Sequence, residues 1–284
     1  MTDTDNFGAL PPEHARLGDA KIVLVPVPYD GTSTWVKGAD KGPRAIIEAS
    51  PNLELYDIET DSEVYRQGIH TDRPVDEDAS PEAMVAAVEQ RVGGHLADGK
   101  FTVVLGGEHS VSIGAVAAHA SQFPDVTVLQ LDAHSDLRDE YEGSRFNHAC
   151  VMARIKERCP IVQVGIRSTD ISEKPALDPD RVFFAKDLQG HTDWIDRVVA
   201  ALGERVYVTI DLDVFDPSIM PSTGTPEPGG LLWYDVLALL RAVCRSRTLV
   251  GFDVVELCPV ENQWAPNFLA AKLIYQLLSY RFQG

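Results

Sequence analysis

Apolar residues along the chain fall into short, nearly continuous runs, separated by stretches with a helical spacing. Lys21–Val27 (KIVLVPV), Phe101–Leu105, Val126–Leu131, Ile161–Val164, Val206–Ile210 and Thr248–Val254 are such runs. They are short and rich in β-branched residues, so each predicts a strand buried on both faces. Helical spacing follows in PRAIIEAS after Gly42, Val111–Ala120, Ala149–Arg158, Thr192–Leu202, residues 235–245 and Pro266–Tyr280. Ser80-Pro81-Glu82 supplies a cap, an N1 proline and a first-turn acid ahead of AMVAAVEQRVGGHLA, which predicts one more helix. Leu53–Ile58, Glu63–His70 and Arg181–Phe184 read as short strands of less regular regions, and residues 1–20 as an N-terminal arm or loop. No repeat or linker divides the chain, so 1–284 reads as a single domain. Strands alternate with helices throughout, which predicts an α/β fold with a mainly parallel central sheet and helices on both faces.

Four of the runs end in ionisable side chains. Val126–Leu131 leads into Asp132-Ala133-His134-Ser135-Asp136, and Val206–Ile210 into Asp211-Leu212-Asp213. Phe101–Leu105 leads into Gly106-Gly107-Glu108-His109-Ser110, and the run from Thr248 closes on Glu256. In an extended chain, residues two apart project to one side. Each pattern therefore aims its acids and imidazoles together at the carboxyl end of a strand, where open α/β sheets place ligands. Taken singly, each has a plainer reading. Asp-x-His-x-Asp is commonly a polar turn, and a histidine after Gly-Gly can simply begin a helix. Four strand ends finishing this way would need four coincidences. Four carboxylates (Asp132, Asp136, Asp211, Asp213) and two imidazoles (His109, His134) could hold two divalent ions if some carboxylates bridge. Oxygen-rich ligation without thiolate suits Mn²⁺ better than structural Zn²⁺.

Composition narrows the partners. The chain of 284 residues has 43 acids against 25 bases, a formal net charge of −18. That balance repels phosphates and argues against a nucleic-acid partner, while mildly favouring a cationic substrate. No run reaches the ~18 apolar residues of a membrane helix. The polar, acidic start lacks the basic and apolar segments of a signal peptide. The four cysteines form no C-x-x-C pair and read as reduced thiols, so the expected location is cytoplasmic.

In this order, GGEHS, DAHSD, DLDVFDP and GFDVVE resemble the ureohydrolase family of agmatinases, arginases and formiminoglutamases, most of all the bacterial and archaeal agmatinases. PVPYDGTSTWVKGADKGPRAI near the start and PSTGTPEPGGL after the second carboxylate pair agree, so the resemblance runs from about Val25 to the last helix. It implies the same three-layer α/β/α architecture and two Mn²⁺ per chain. One ion would take His109, Asp132, Asp136 and Asp211; the other would take Asp132, His134, Asp211 and Asp213. Two ions turn water into a nucleophile near neutral pH, and Asp136 would aim it. Glu256 would pair with the guanidinium, and His148 would pass a proton to the departing amine. His148-Ala149 replaces the His-Gly common in this family, which leaves the substrate subgroup open. The family also implies a trimer or hexamer.

The substrate's tail should be read by Leu137–Asn147 (LRDEYEGSRFN), with the loop Gly31–Gly42 and the segment Thr223–Gly230 as further walls. Asp139 and Glu140, with Glu142, would favour the cationic tail of agmatine or aminopropyl-agmatine. Equally, these acids could lie in a solvated loop paired with Arg138 or Arg145, and Arg145 could instead meet an acidic substrate. The expected reaction is agmatine and water to putrescine and urea, in polyamine biosynthesis. Aminopropyl-agmatine, arginine, guanidinobutyrate and formiminoglutamate are the alternatives. A single-zinc deacetylase and a non-catalytic binding protein are more distant rivals, and every ligand and Glu256 being present argues against both.

Overall fold

The apolar runs do form strands, and the strands form one sheet. A computed structural model describes residues 6–191 and 193–283. Its strands are β1 (Ile22–Val27), β2 (Ile69–Thr71), β3 (Phe101–Gly106), β4 (Val126–Leu131), β5 (Ile161–Ile166), β6 (Val182–Phe184), β7 (Arg205–Asp211) and β8 (Thr248–Val255). The helices are α1 (Pro12–Ala15), α2 (Gly42–Ala49), α3 (Pro81–Ala97), α4 (Val111–Gln122), α5 (Val151–Lys156), α6 (Trp194–Ala201), α7 (Trp233–Ser246) and α8 (Ala265–Arg281). All strand pairs are parallel, in the order β2-β1-β3-β8-β7-β4-β5-β6.

The near-continuous apolar runs have a simple cause. Successive residues of a strand point to opposite faces, and both faces are covered. Ile22 and Leu24 enter one core with α2, α6, α7 and α8, while Val23, Val25 and Val27 enter the other with α3, α4 and α5. Tyr207 on β7 faces the second core, between Val206 and Val208 in the first. Each fully buried aliphatic contributes roughly 1.5–3 kcal/mol, so the paired cores fix strand register firmly.

Several local expectations are corrected. From Asn6 onward the N-terminal arm is docked: Phe7 is fully buried, its N–H donates to Thr71 Oγ1 at 2.9 Å, and Gly8 N–H donates to Ser50 Oγ at 2.7 Å. Met1–Asp5 lie outside the described residues, as does Thr192, the expected start of α6. Leu53–Ile58 forms no strand. Asp57 Oδ2 instead accepts from Thr60 N–H, Thr60 Oγ1 and Gln276 Nε2 at 2.6–3.0 Å, closing a turn that leaves Ile58 82% exposed. Glu63–His70 is mostly a 3-10 turn, with β2 beginning at Ile69. The helix expected from Ala149 begins at Val151, after a 3-10 turn over His148–Cys150. Among the described residues, no helix is long and apolar enough to cross a membrane.

The order of the sheet decides what can meet. β3, β8, β7 and β4 are its four central neighbours. Being parallel, they release Glu108-His109, Glu256, Asp211-x-Asp213 and Asp132-x-His134-x-Asp136 at one edge. Residues up to 147 positions apart thereby become neighbours.

Candidate metal centre

Each ligand candidate is aimed by its own loop. After β3 the chain turns so tightly that a Cβ on Gly107 would lie 1.9 Å from Tyr29 O, which only glycine permits. The turn delivers His109, whose N–H donates to Glu256 Oε1 at 2.7 Å. After β4, His134 N–H donates to Asp132 Oδ1 at 2.5 Å, and Ala133 N–H donates to Asp213 Oδ1 at 2.9 Å. After β7, Asp213 N–H donates to Asp211 Oδ1 at 2.9 Å. One oxygen of each of these aspartates is thus held by backbone, which orients the other. Two of the acids adopt left-handed backbone, Asp136 at φ 52° and Glu256 at φ 66°. Non-glycine residues seldom do so, and such strain gathers at functional sites.

The His109 ring shows what the cluster could hold. Thr209 Oγ1 gives its hydrogen to Asp253 Oδ1 at 2.7 Å. Toward His109 Nε2, 2.9 Å away, it can only accept. The ring hydrogen therefore sits on Nε2 and leaves a bare lone pair on Nδ1. That atom is buried and hydrogen-bonded to nothing. Three carboxylate oxygens nevertheless surround it: Asp136 Oδ2 at 3.0 Å, Asp132 Oδ2 at 3.2 Å and Asp211 Oδ2 at 3.3 Å. Four electron-pair donors directed at one point repel one another unless a cation lies among them. A hydrogen-bonded imidazole beside carboxylates is the donor set of a divalent ion.

A second group shares Asp132. His134 Nδ1 lies 2.8 Å from Asp213 Oδ2 and 3.6 Å from Asp132 Oδ1. His109, Asp132 and Asp211 form one cluster of ligand geometry, and Asp132, His134 and Asp213 form the other. All six candidates from the sequence are brought together.

The titration behaviour tells the same story. Burial, then the charge of Asp132, pushes Asp136 up to about 7. Burial and the charges of Asp213 and Asp132 hold Asp211 well above the usual carboxylate range. Burial opposes charge on His109, but the carboxylates of Asp132, Asp136 and Asp211 around its ring outweigh it and raise its pKa well above normal. Acids that resist charging when buried together are ones a divalent cation would relieve.

The cluster floors a cavity of about 310 Å³, near the lower size of ligand pockets. Glu256 and His148 line it, beside Trp35, Tyr141, Arg138, Asp170 and Glu173. Burial, then the Glu108 charge, raises Glu256 well above normal. Burial lowers His148 to about 4. The two expected walls contribute through Ser33–Val36 and through Gly224 and Thr225. Asp139 and Glu140 do not reach the cavity lining. Asp139 is 80% exposed and bound to Arg154 Nη2 at 2.5 Å and Arg145 Nη2 at 3.0 Å, so the arginines hold it outside. That is the solvated pairing the sequence left open. Arg145 is used there as well.

Other contributors escaped sequence reasoning. Gln130 donates to Asp132 Oδ2 at 2.7 Å and to His134 O at 3.1 Å, and Gln163 donates to Gln130 Oε1 at 2.6 Å. Two glutamines inside otherwise apolar strands were the available signal. Arg167 Nη2 donates to Asp213 O at 2.5 Å and to Glu227 O at 2.9 Å, clamping the loop of one ligand to a cavity wall. Nothing local in the sequence marks it. Glu108, Thr32, Asp170 and Glu173 were also missed.

Comparison with known proteins bears directly on this constellation. A sequence model described as the arginase family matches residues 20–279. An N(1)-aminopropylagmatine ureohydrolase of Synechocystis is 40% identical over 273 residues, 92% of this chain and 89% of that protein. An agmatinase of Pyrococcus horikoshii is 35% identical over 272 residues, 92% of each chain. Among solved structures, the agmatine ureohydrolase of Thermoplasma volcanium superposes with a TM-score of 0.84 at 34% identity, over 93% of this chain and 91% of that one.

Proposed function

Because the chain belongs to the arginase family, hydrolases acting on guanidino compounds, we propose that it is a manganese-dependent ureohydrolase of a guanidino-amine. Agmatine plus water would give putrescine plus urea. The observation carrying this reading is the His109 Nδ1 lone pair among three carboxylate oxygens, with Asp132 leading to a second cluster. His109, Asp132, Asp136, Asp211, His134 and Asp213 would hold two Mn²⁺, which would supply the acidity that makes water nucleophilic at neutral pH.

The chain's own groups then divide the work. Glu256 is a carboxyl whose charge is disfavoured by burial, so a guanidinium beside it would restore that charge and be gripped in return. Asp136 accepts a hydrogen bond from the attacking water and aims it. His148 is neutral at rest, and a ring that holds its proton so weakly passes it readily to the departing amine.

Charge at the rim favours an amine tail over a carboxylate tail. Arg138, the cation of the lining, is engaged by buried Glu173 at 3.4 Å and stacked 4.4 Å over Tyr141. Asp170 keeps a negative charge 3.7 Å from it, and Trp35 is 69% exposed at the same cavity. An aromatic face and a carboxylate suit an ammonium. Aminopropyl-agmatine, with a longer cationic tail, is supported about as well as agmatine, given the Synechocystis relative. A cytoplasmic trimer or hexamer belongs to the same reading, and exposed Ile58, Tyr234, Trp264 and Phe268 offer apolar surface for assembly.

The test is urea release from agmatine, aminopropyl-agmatine, arginine, guanidinobutyrate and guanidine, with formamide release from formiminoglutamate, after Mn²⁺ loading. We expect the two amine-tailed substrates to lead by at least tenfold in kcat/KM. Preference for a carboxylate-tailed substrate would overturn the tail assignment, and one tightly held zinc per chain would favour deacetylase-like chemistry.

A further inference from the structure

We propose that Thr32 is a positioning residue that fixes the tautomer of His148, as the middle member of a relay ending on buried Glu108. The inference rests on His148 being the proton carrier and adds two groups to it. Glu108 is fully buried beside the ligand His109. Its Oε2 accepts from both the N–H (3.0 Å) and the hydroxyl of Thr32, and its Oε1 accepts from the Ser110 hydroxyl. Thr32 Oγ1 also accepts the backbone N–H of His148 at 2.9 Å and lies 3.2 Å from His148 Nδ1.

A threonine hydroxyl has one hydrogen, and here it points at Glu108. Toward the ring it can only accept, so Nδ1 must carry the imidazole hydrogen. Nε2, the nitrogen on the far side from Thr32, is then left with the free lone pair. Glu108 Oε2 is 4.0 Å from Nδ1, with the hydroxyl bonded to both. The carboxylate therefore acts on the ring through Thr32 rather than directly. The loop carrying Thr32 is itself held in shape, because Asp30 Oδ2 accepts Gly38 N–H at 2.6 Å and Ala39 N–H at 3.2 Å. Thr32 is thus a fixed acceptor, delivered from a third part of the chain.

The proton path balances with this tautomer. The attacking water gives one proton to Nε2 as its oxygen bonds to the guanidinium carbon, making the ring a cation whose Nδ1–H stays on Thr32 Oγ1. When the carbon–nitrogen bond to the tail breaks, its electron pair goes to the tail nitrogen. The Nε2 proton follows, and the ring returns to the Nδ1–H form. With the opposite tautomer, Nε2 would already hold a hydrogen and could not take the first proton.

Two measurements test this. In ¹⁵N NMR of the metal-free protein, the His148 ring should report the Nδ1–H tautomer, and T32V should lose that preference. An Nε2–H ring in the unmodified protein would overturn the proposal, whether or not urea is ever detected. In the active enzyme, T32V should lower kcat about 10–100-fold, as expected for impaired general acid–base transfer, and move the acid limb of its pH profile. KM and bound metal should change less than about twofold, and T32S should recover most of the rate. T32V should add nothing on an H148A background, because the relay acts only through that ring. Normal turnover in T32V, additive loss with H148A, or loss tracking bound metal would each overturn it. Absence of urea from every guanidino substrate in the unmodified protein would instead count against the proposed function, with the NMR result standing apart.

Discussion

Two buried acidic regions adjoin one another along β7 and β8, and they differ in what surrounds the acids. Inside the sheet, Asp253 accepts from Thr209 Oγ1 and Tyr207 Oη, both at 2.7 Å, so each of its oxygens has a donor. At the strand ends a few residues on, Asp211, Asp136 and Asp132 crowd one imidazole, and burial disfavours the anions of Asp211, with the charges of Asp213 and Asp132, and of Glu256, with the charge of Glu108. The sheet supplies donors where an acid serves the fold. At the strand ends Asp132, Asp211, Asp213 and Glu256 still keep donors, yet oxygens of Asp132, Asp136 and Asp211 crowd together around His109 Nδ1. A buried acid is informative about function when its partners are other acids.

The sharpest way to break this contrast is Asp132→Asn, which removes the charge and one oxygen of the carboxylate shared by both clusters. Urea release should fall at least ~10³-fold, with bound metal lost in elemental analysis. Near-normal rates would mean that Asp132 is not shared. Metal should also stabilise the strand-end region. At about 100 times Kd a ligand adds ~2.7 kcal/mol, so Mn²⁺ should raise the Tm of the stripped protein by roughly 5–10 °C.

Acidity sharpens the comparison further. Asp136 and Glu108 are both raised to about 7 in the fold, against about 4 for unfolded carboxyls. A raised carboxyl contributes its stability below pH 4 and loses it as pH climbs through 7. Stripped protein should therefore melt at progressively lower temperature between pH 5 and 8, while the gain from Mn²⁺ widens. A flat profile would mean the acids are not in conflict.

Single substitutions should then separate the two regions in stripped protein. Asp253→Ala should destabilise by about 1–3 kcal/mol, stranding the donors of Thr209 and Tyr207. Asp136→Asn should leave stability unchanged or raise it, because it removes one of the opposed charges and asparagine tolerates left-handed backbone. The smallest effect is expected outside the cavity: Asp139→Ala should change KM for the guanidino substrate less than about twofold.

What the sequence made legible follows the same division. β3, β4, β7 and β8 read clearly because both faces are covered, and the six ligand candidates read clearly because each ends such a run. Phe7 went unnoticed because one buried residue has no period. Leu53–Ile58 imitated a strand because its alternation is real, but the Asp57 side chain closes a turn there. Thr32 and Glu108 meet across 76 positions, and no local pattern encodes such a meeting. Asp139 looked functional by composition, yet nearby arginines had first claim on it.

The left-handed backbone at Asp136 and Glu256 has a practical corollary for anyone hardening this scaffold. Glycine at either place would relax the chain by about 1 kcal/mol, so a search guided by thermal tolerance would drift toward it. At Glu256 that gain would be offset by stranding the buried His109 N–H that its Oε1 accepts, and at both places it would remove a carboxyl that the proposed chemistry uses, so those two codons are better frozen from the outset.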